Sequence, residues 1–110
     1  MQIAEIVEKL GLTVLVGTDN LNANVSGGYV ADLLSCVIAG AKPQDLWVTL
    51  QTHVNIVAVA ALKEVAAIVV AESAVVPDAT LEKAAQQGVV MLSSPLPIYE
   101  TVKQLVALGL

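Results

Sequence analysis

Apolar and polar positions along this chain fall into short blocks whose period switches between that of a helix and that of a strand. Ile3, Ile6, Val7 and Leu10 stand at i, i+3, i+4 and i+7, which predicts a helix over residues 3–10. Gly11 ends it, as glycine does at a helix C-terminus. Thr13-Val14-Leu15-Val16-Gly17 is a short β-rich run closed by a glycine, and Asp19-Asn20 supplies a turn. Asn22 to Ser26 reads as an extended segment leading into Gly27-Gly28.

From Tyr29 to Ala41 the spacing of Val30, Leu33, Leu34, Val37 and Ile38 predicts a second helix, ended over Gly40–Pro43. Leu46-Trp47-Val48-Thr49-Leu50 is the next predicted strand, followed by a helix over Val54–Glu64. Ala66 to Ala71 is wholly apolar, the composition of a strand buried on both faces. Pro77-Asp78-Ala79-Thr80 opens a helix that runs to Gln87 and stops at Gly88. Val89 to Leu92 forms the last predicted strand, Ser93-Ser94-Pro95 turns the chain, and Pro97 starts a final helix to Leu108. Repeated alternation of strand and helix predicts an α/β fold. The expected form is a three-layer α/β/α sandwich with a mostly parallel sheet of about five strands, one domain over residues 1–110.

Composition sharpens this picture. Hydrophobic residues make up 56% of the chain and charged ones 14%, against about 45–50% and ~25% in ordinary soluble proteins. With three aromatic residues and no phenylalanine, the core must be built from Val, Ile, Leu and Ala. That surplus of apolar surface leads us to expect a homodimer. All five basic residues are lysines, spread singly, and the net charge is −5. Nucleic-acid binding needs clustered cations and is excluded as an expectation. The run Val54–Ala71 carries Lys63 and Glu64 near its middle, so it is read as helix plus strand and not as a membrane span. The acidic amphipathic start does not read as a secretory leader, and the single cysteine, Cys36, forms no internal disulfide. A cytoplasmic protein is expected, with Cys36 packed inside a helix.

Candidate chemistry gathers in two places. The first is the polar island Thr49, Gln51, Thr52, His53 and Asn55, where a strand hands over to a helix. In open α/β sheets ligands sit at the carboxyl ends of strands, and free N–H groups at a helix start attract polar groups. Two readings stand side by side there: a ligand site, or simple capping by Thr52 or Asn55. The second place is Ser26-Gly27-Gly28, followed by Asp32. Its readings are a nest of backbone donors with an acid beside it, or a structural turn with a helix-dipole partner.

Catalytic and cofactor signatures are missing. The sequence has neither phosphate-loop spacing nor a dinucleotide fingerprint, no nucleophile elbow, and only one His and one Cys to offer a metal. No catalytic residue, cofactor or metal is expected.

Two runs carry a resemblance. Val25-Ser26-Gly27-Gly28-Tyr29-Val30-Ala31-Asp32-Leu33-Leu34-Ser35 and Leu46 to Ala60, with Thr49, Thr52, His53 and Asn55 inside it, resemble the DRTGG domain family. The namesake pentapeptide corresponds to Asn24-Val25-Ser26-Gly27-Gly28, with an amide for the acid and a valine for the arginine. An anion contact through that arginine is therefore not carried over. The resemblance implies a stand-alone member with an α/β/α fold similar to the N-terminal domain of HPr kinase/phosphorylase. It also implies a regulatory role, since such domains accompany CBS domains and some phosphate acetyltransferases. Taken together, the expectation is a non-catalytic sensor of a small polar metabolite or nucleotide, signalling to a separate effector protein. The alternative is an interaction adaptor without a small ligand.

Overall fold

The computed structural model describes all 110 residues. Five α-helices and five strands follow one another and alternate from β2 onward: α1 (Ile3–Leu10), β1 (Thr13–Val16), β2 (Gly27–Val30), α2 (Leu34–Gly40), β3 (Asp45–Thr49), α3 (Asn55–Lys63), β4 (Ala67–Val70), α4 (Asp78–Gln87), β5 (Met91–Ser93) and α5 (Ile98–Ala107). The sheet runs in the order β1-β5-β4-β3-β2. β2 to β5 are parallel, and β1 pairs antiparallel with β5 at one border.

Alternation along each strand sorts side chains onto two faces. Trp47, Ile68, Val70 and Met91 meet α2, α3 and α4 through Val37, Ile56, Val57, Ala60 and Ala84. Leu46, Val48, Ala67, Val69 and Leu92 meet α1 and α5 through Ile3, Ile6 and Leu105. This is the three-layer sandwich expected. β4 is buried at every position, as its unbroken apolar run demands. The stretch 54–71 divides into α3 and β4 at Glu64, and no helix is long and apolar enough to cross a membrane.

Local chemistry sets most boundaries. Gly11 and Gly88 take left-handed conformations that close α1 and α4. Glu64 closes α3 in the same conformation, at φ 55°, without being a glycine.

One predicted element is wrong. Residues 29–41 do not form a single helix: Gly27–Val30 is a strand, and α2 begins only at Leu34. Val30 lies in register with Val48, and the helical spacing from Val30 to Ile38 does not mark a buried face. Leu33 is 65% exposed and Ile38 44%, while only Val37 is buried in α2. A strand at 27–30 also gives the buried Trp47 indole an acceptor, the Ala31 carbonyl at 2.9 Å. The weakly extended Asn22–Ser26 is correspondingly not the strand. Cys36 lies on α2 but is exposed, not packed within.

Candidate functional site

Asp32 and the polar island meet at the carboxyl edge of the sheet. β2 and β3 are parallel neighbours, so the segments that leave their C-terminal ends emerge side by side. Asp32 Oδ1 accepts the Thr49 hydroxyl and the Leu50 N–H, both at 2.8 Å. Thr49 is fully buried, and its Oγ1 in turn accepts the Gln51 N–H at 3.0 Å. Charge-assisted bonds of this kind hold a carboxylate firmly. Both fall on Oδ1, which leaves Oδ2 unengaged by the protein. An open cleft of about 220 Å³ is lined by Asp32, Leu50, Gln51 and Thr52.

The next loop residues face elsewhere. His53 is exposed, and its Nδ1 accepts the Asn55 N–H at 3.1 Å. The imidazole thus takes the first free N–H of α3, a cap's task, while the N-cap position itself, Val54, makes no side-chain bond, and neither Thr52 nor Asn55 caps. With Nδ1 accepting, the ring proton of the neutral imidazole sits on Nε2, which is free for another partner. The Thr52 carbonyl is occupied by the Thr80 hydroxyl at 2.8 Å, which ties the loop to α4. Asn55 is exposed at the first turn, and neither it nor His53 lines the cleft.

Ser26, Gly27 and Gly28 are not brought to this edge. Gly27 and Gly28 pair with Asp45 and Leu46, at the opposite end of β3 from Thr49. Asp32 lies six positions beyond Ser26 along a mostly extended segment, about 20 Å at the rise of a strand. Neither glycine has a positive φ, so no nest of donors forms. They line a separate cleft of about 420 Å³ with Lys42, Pro43 and Asp45.

Sequence reasoning missed two features of the carboxyl edge. Glu72 and Ser73 follow β4 with φ of 60° and 49°, consecutive left-handed residues without a glycine. Their amides donate to the carbonyls of Leu96 and Ser94, both at 2.9 Å, which fastens the β4–α4 loop to the β5–α5 loop. The buried hydroxyls of Ser94 and Thr101 meet at 2.8 Å beneath that junction. Nothing in the pattern of residues 72–73 marks such a conformation; only the pairing of Ser94 with a helix seven residues on was open to inspection.

No family model matches the chain, and no curated protein matches it. Its fold is similar to the crystal structure of the CBS and DRTGG domains of the regulatory region of a Clostridium perfringens pyrophosphatase, complexed with the activator diadenosine tetraphosphate. The TM-score is 0.71 at 11% sequence identity, over 93% of this chain and 44% of that one. The fold is DRTGG-like. At this identity the likeness is one of backbone architecture and does not extend to membership of the family. The chain spans less than half the length of that structure.

Proposed function

We propose that this chain is a non-catalytic regulatory module that binds a small polar metabolite at the carboxyl edge and signals to a separate effector. The observation that carries this reading is the Asp32 carboxylate, clamped through Oδ1 by Thr49 and Leu50 at an open cleft, with Oδ2 turned to no protein group. A charge fixed in advance loses little freedom on binding, which favours affinity for a small ligand. Gln51 adds a donor and an acceptor to the lining, while His53 and Asn55 stand nearby along the chain at the start of α3.

The chemistry of the lining narrows the class. A carboxylate without a neighbouring cation prefers donors: hydroxyls, amines, or the ribose and base of a nucleoside. None of the five lysines lines the cleft, so a nucleotide would be held through its sugar or base and not through its phosphates. The similar fold belongs to a regulatory region that was crystallised with an activator nucleotide, and that supports a sensing role over a catalytic one.

A thermal-shift screen of nucleosides, nucleotides and polar metabolites tests the reading. A ligand at a hundred-fold excess over its Kd adds about 2.7 kcal/mol of stability. The expected result is a hit that stabilises the wild type and not the Asp32→Asn, Gln51→Ala double variant. Equal stabilisation of both removes the assignment, and the His53→Ala, Asn55→Ala pair tests the start of α3 in the same way.

A second reading is favoured by a specific observation. The four segments that leave the carboxyl ends of β2 to β5 each present one exposed apolar side chain: Leu33, Leu50, Val75 and Tyr99. Val75 is 88% exposed and Tyr99 76%. Such residues suit a protein partner docking over the same edge, the adaptor role. Silence in the ligand screen, with a co-purifying protein lost on Val75→Lys, would decide for it.

A further inference from the structure

The sheet ends at β2, and the outer edge of that strand has no neighbour. Exposed edges are ordinarily blunted by charge, proline or a bulge. The opposite border carries such a device, because the register of β1 slips between Val14 and Val16. β2 carries none: Gly27-Gly28-Tyr29-Val30 is uncharged, lacks proline and pairs with β3 in unbroken register.

Gly28 is not explained by its own chain. Its φ is not left-handed, and a Cβ there would meet only the Leu46 carbonyl at 3.5 Å, an ordinary contact. A glycine inside a strand costs about 0.5–1 kcal/mol relative to alanine. Where the fold does not ask for one, it marks the close approach of another backbone. Beside Gly28, on the α5 face, lies an apolar hollow of about 130 Å³ walled by Val30, Leu46, Val106 and Leu110.

We propose that β2 pairs antiparallel with β2 of a second copy of this chain, about a two-fold axis at Tyr29, so that the two sheets become continuous. Just past β2 the Ala31 N–H donates to the Val48 carbonyl, so by alternation the Tyr29 amide points inward to β3 and those of Gly28 and Val30 point outward. On each side of the axis Gly28 of one copy and Val30 of the other then exchange a pair of backbone bonds. This register sets Val30 opposite Gly28 of the partner subunit. Its side chain, 45% exposed in the single chain, enters the space that the glycine leaves beside the apolar hollow.

Charge agrees with the same occupant. The register also sets Asp32 of the partner subunit opposite Ser26, at the cleft whose charged lining is the exposed Lys42 and the buried Asp45. At each end of the paired strands the exposed lysine, and not the buried carboxylate, is the charge open to that approaching acid. No like charges face each other between them. The pairing rests on the edge of β2 and not on the ligand reading, with which only its charge argument shares a residue, Asp32.

Light scattering and sedimentation of the full chain test it. The expected mass is twice 11.4 kDa for the wild type and 11.4 kDa for Gly28→Lys and Val30→Lys. Each lysine enters the interface without a counter-charge, and dissociation constants should rise about a hundred-fold or more. Circular dichroism checks that the variants fold; should Gly28→Lys fail there, Val30→Lys, at an already exposed side chain, decides. Hydrogen exchange of the Gly28 amide should slow as protein concentration rises in the wild type and not in Val30→Lys. A wild type that stays monomeric across the micromolar range overturns the proposal, even if it captures an extended peptide. So does a dimer that survives Val30→Lys, or one whose Gly28 amide exchanges independently of concentration.

Discussion

The Thr49 hydroxyl donates to the Asp32 carboxylate at 2.8 Å, joining the ends of two parallel strands that are 17 residues apart in the chain. Thr49 has no exposed surface, whereas Asp32 reaches solvent. The pair therefore anchors an exposed carboxylate to the rigid interior. Thr49→Val removes the donor to Asp32 and the acceptor for the Gln51 N–H together. A loss of about 1–3 kcal/mol is expected in urea unfolding, the usual cost of stranding buried polar groups. Asp32→Asn, which keeps an acceptor oxygen in place, should cost less than half as much.

Trp47 is the only tryptophan, is fully buried, and donates its indole N–H to the carbonyl of Ala31, the residue before Asp32. Its emission is therefore a natural reporter of the loop that carries the carboxylate. Any ligand that engages Asp32 should change Trp47 fluorescence, and titrations of the Asp32→Asn, Gln51→Ala variant should be flat. Trp47→Phe leaves the Ala31 carbonyl unpaired and a void beside it; the two together should cost about 2–4 kcal/mol.

His53 separates capping from binding. Its Nδ1 takes the Asn55 N–H, the task of a cap, and its free Nε2 is the only part left for a ligand. His53→Ala should cost about 0.5–2 kcal/mol of stability. His53→Asp restores a side-chain acceptor and should recover most of that loss. If ligand-induced stabilisation returns with it, the imidazole served the helix alone; if stabilisation stays lost, Nε2 takes part in binding.

The elements that periodicity revealed are those with one continuous buried face. Ile3 and Ile6 in α1, and Thr101 and Leu105 in α5, are buried at helical spacing between glycine or proline boundaries. Apolar residues fill β4 because helices cover both its faces. β2 escaped because an edge strand is half exposed and short, and because Val30, Leu33 and Val37 imitate a helix by their spacing. Thr49 was visible as a polar residue at a strand end, and Asp32 as an acid in the first turn of an expected helix. Their meeting depends on β2 and β3 being neighbours, and strand order is not written in local pattern. The reversed direction of Ser26–Gly28 followed from the same error: a strand carried these residues to the far end of the sheet.

Glu64 offers a test in the stabilising direction. It ends α3 with φ 55° and ψ 38°, and its N–H bonds the Ala60 and Ala61 carbonyls, the work usually given to glycine. An L-residue pays about 1–2 kcal/mol for that conformation. Its side chain is exposed, so little packing is lost on removing it. Glu64→Gly is expected to raise the midpoint of thermal unfolding by several degrees, less whatever the more flexible unfolded chain takes back. Gly88→Ala, at φ 70° in the equivalent position of α4 with open space around it, should lower the midpoint by a similar amount. Opposite shifts of comparable size in the two variants would establish that backbone conformation, and not side-chain contact, governs both helix ends. A Glu64→Gly protein that melts below the wild type would instead assign a stabilising role to the Glu64 carboxylate.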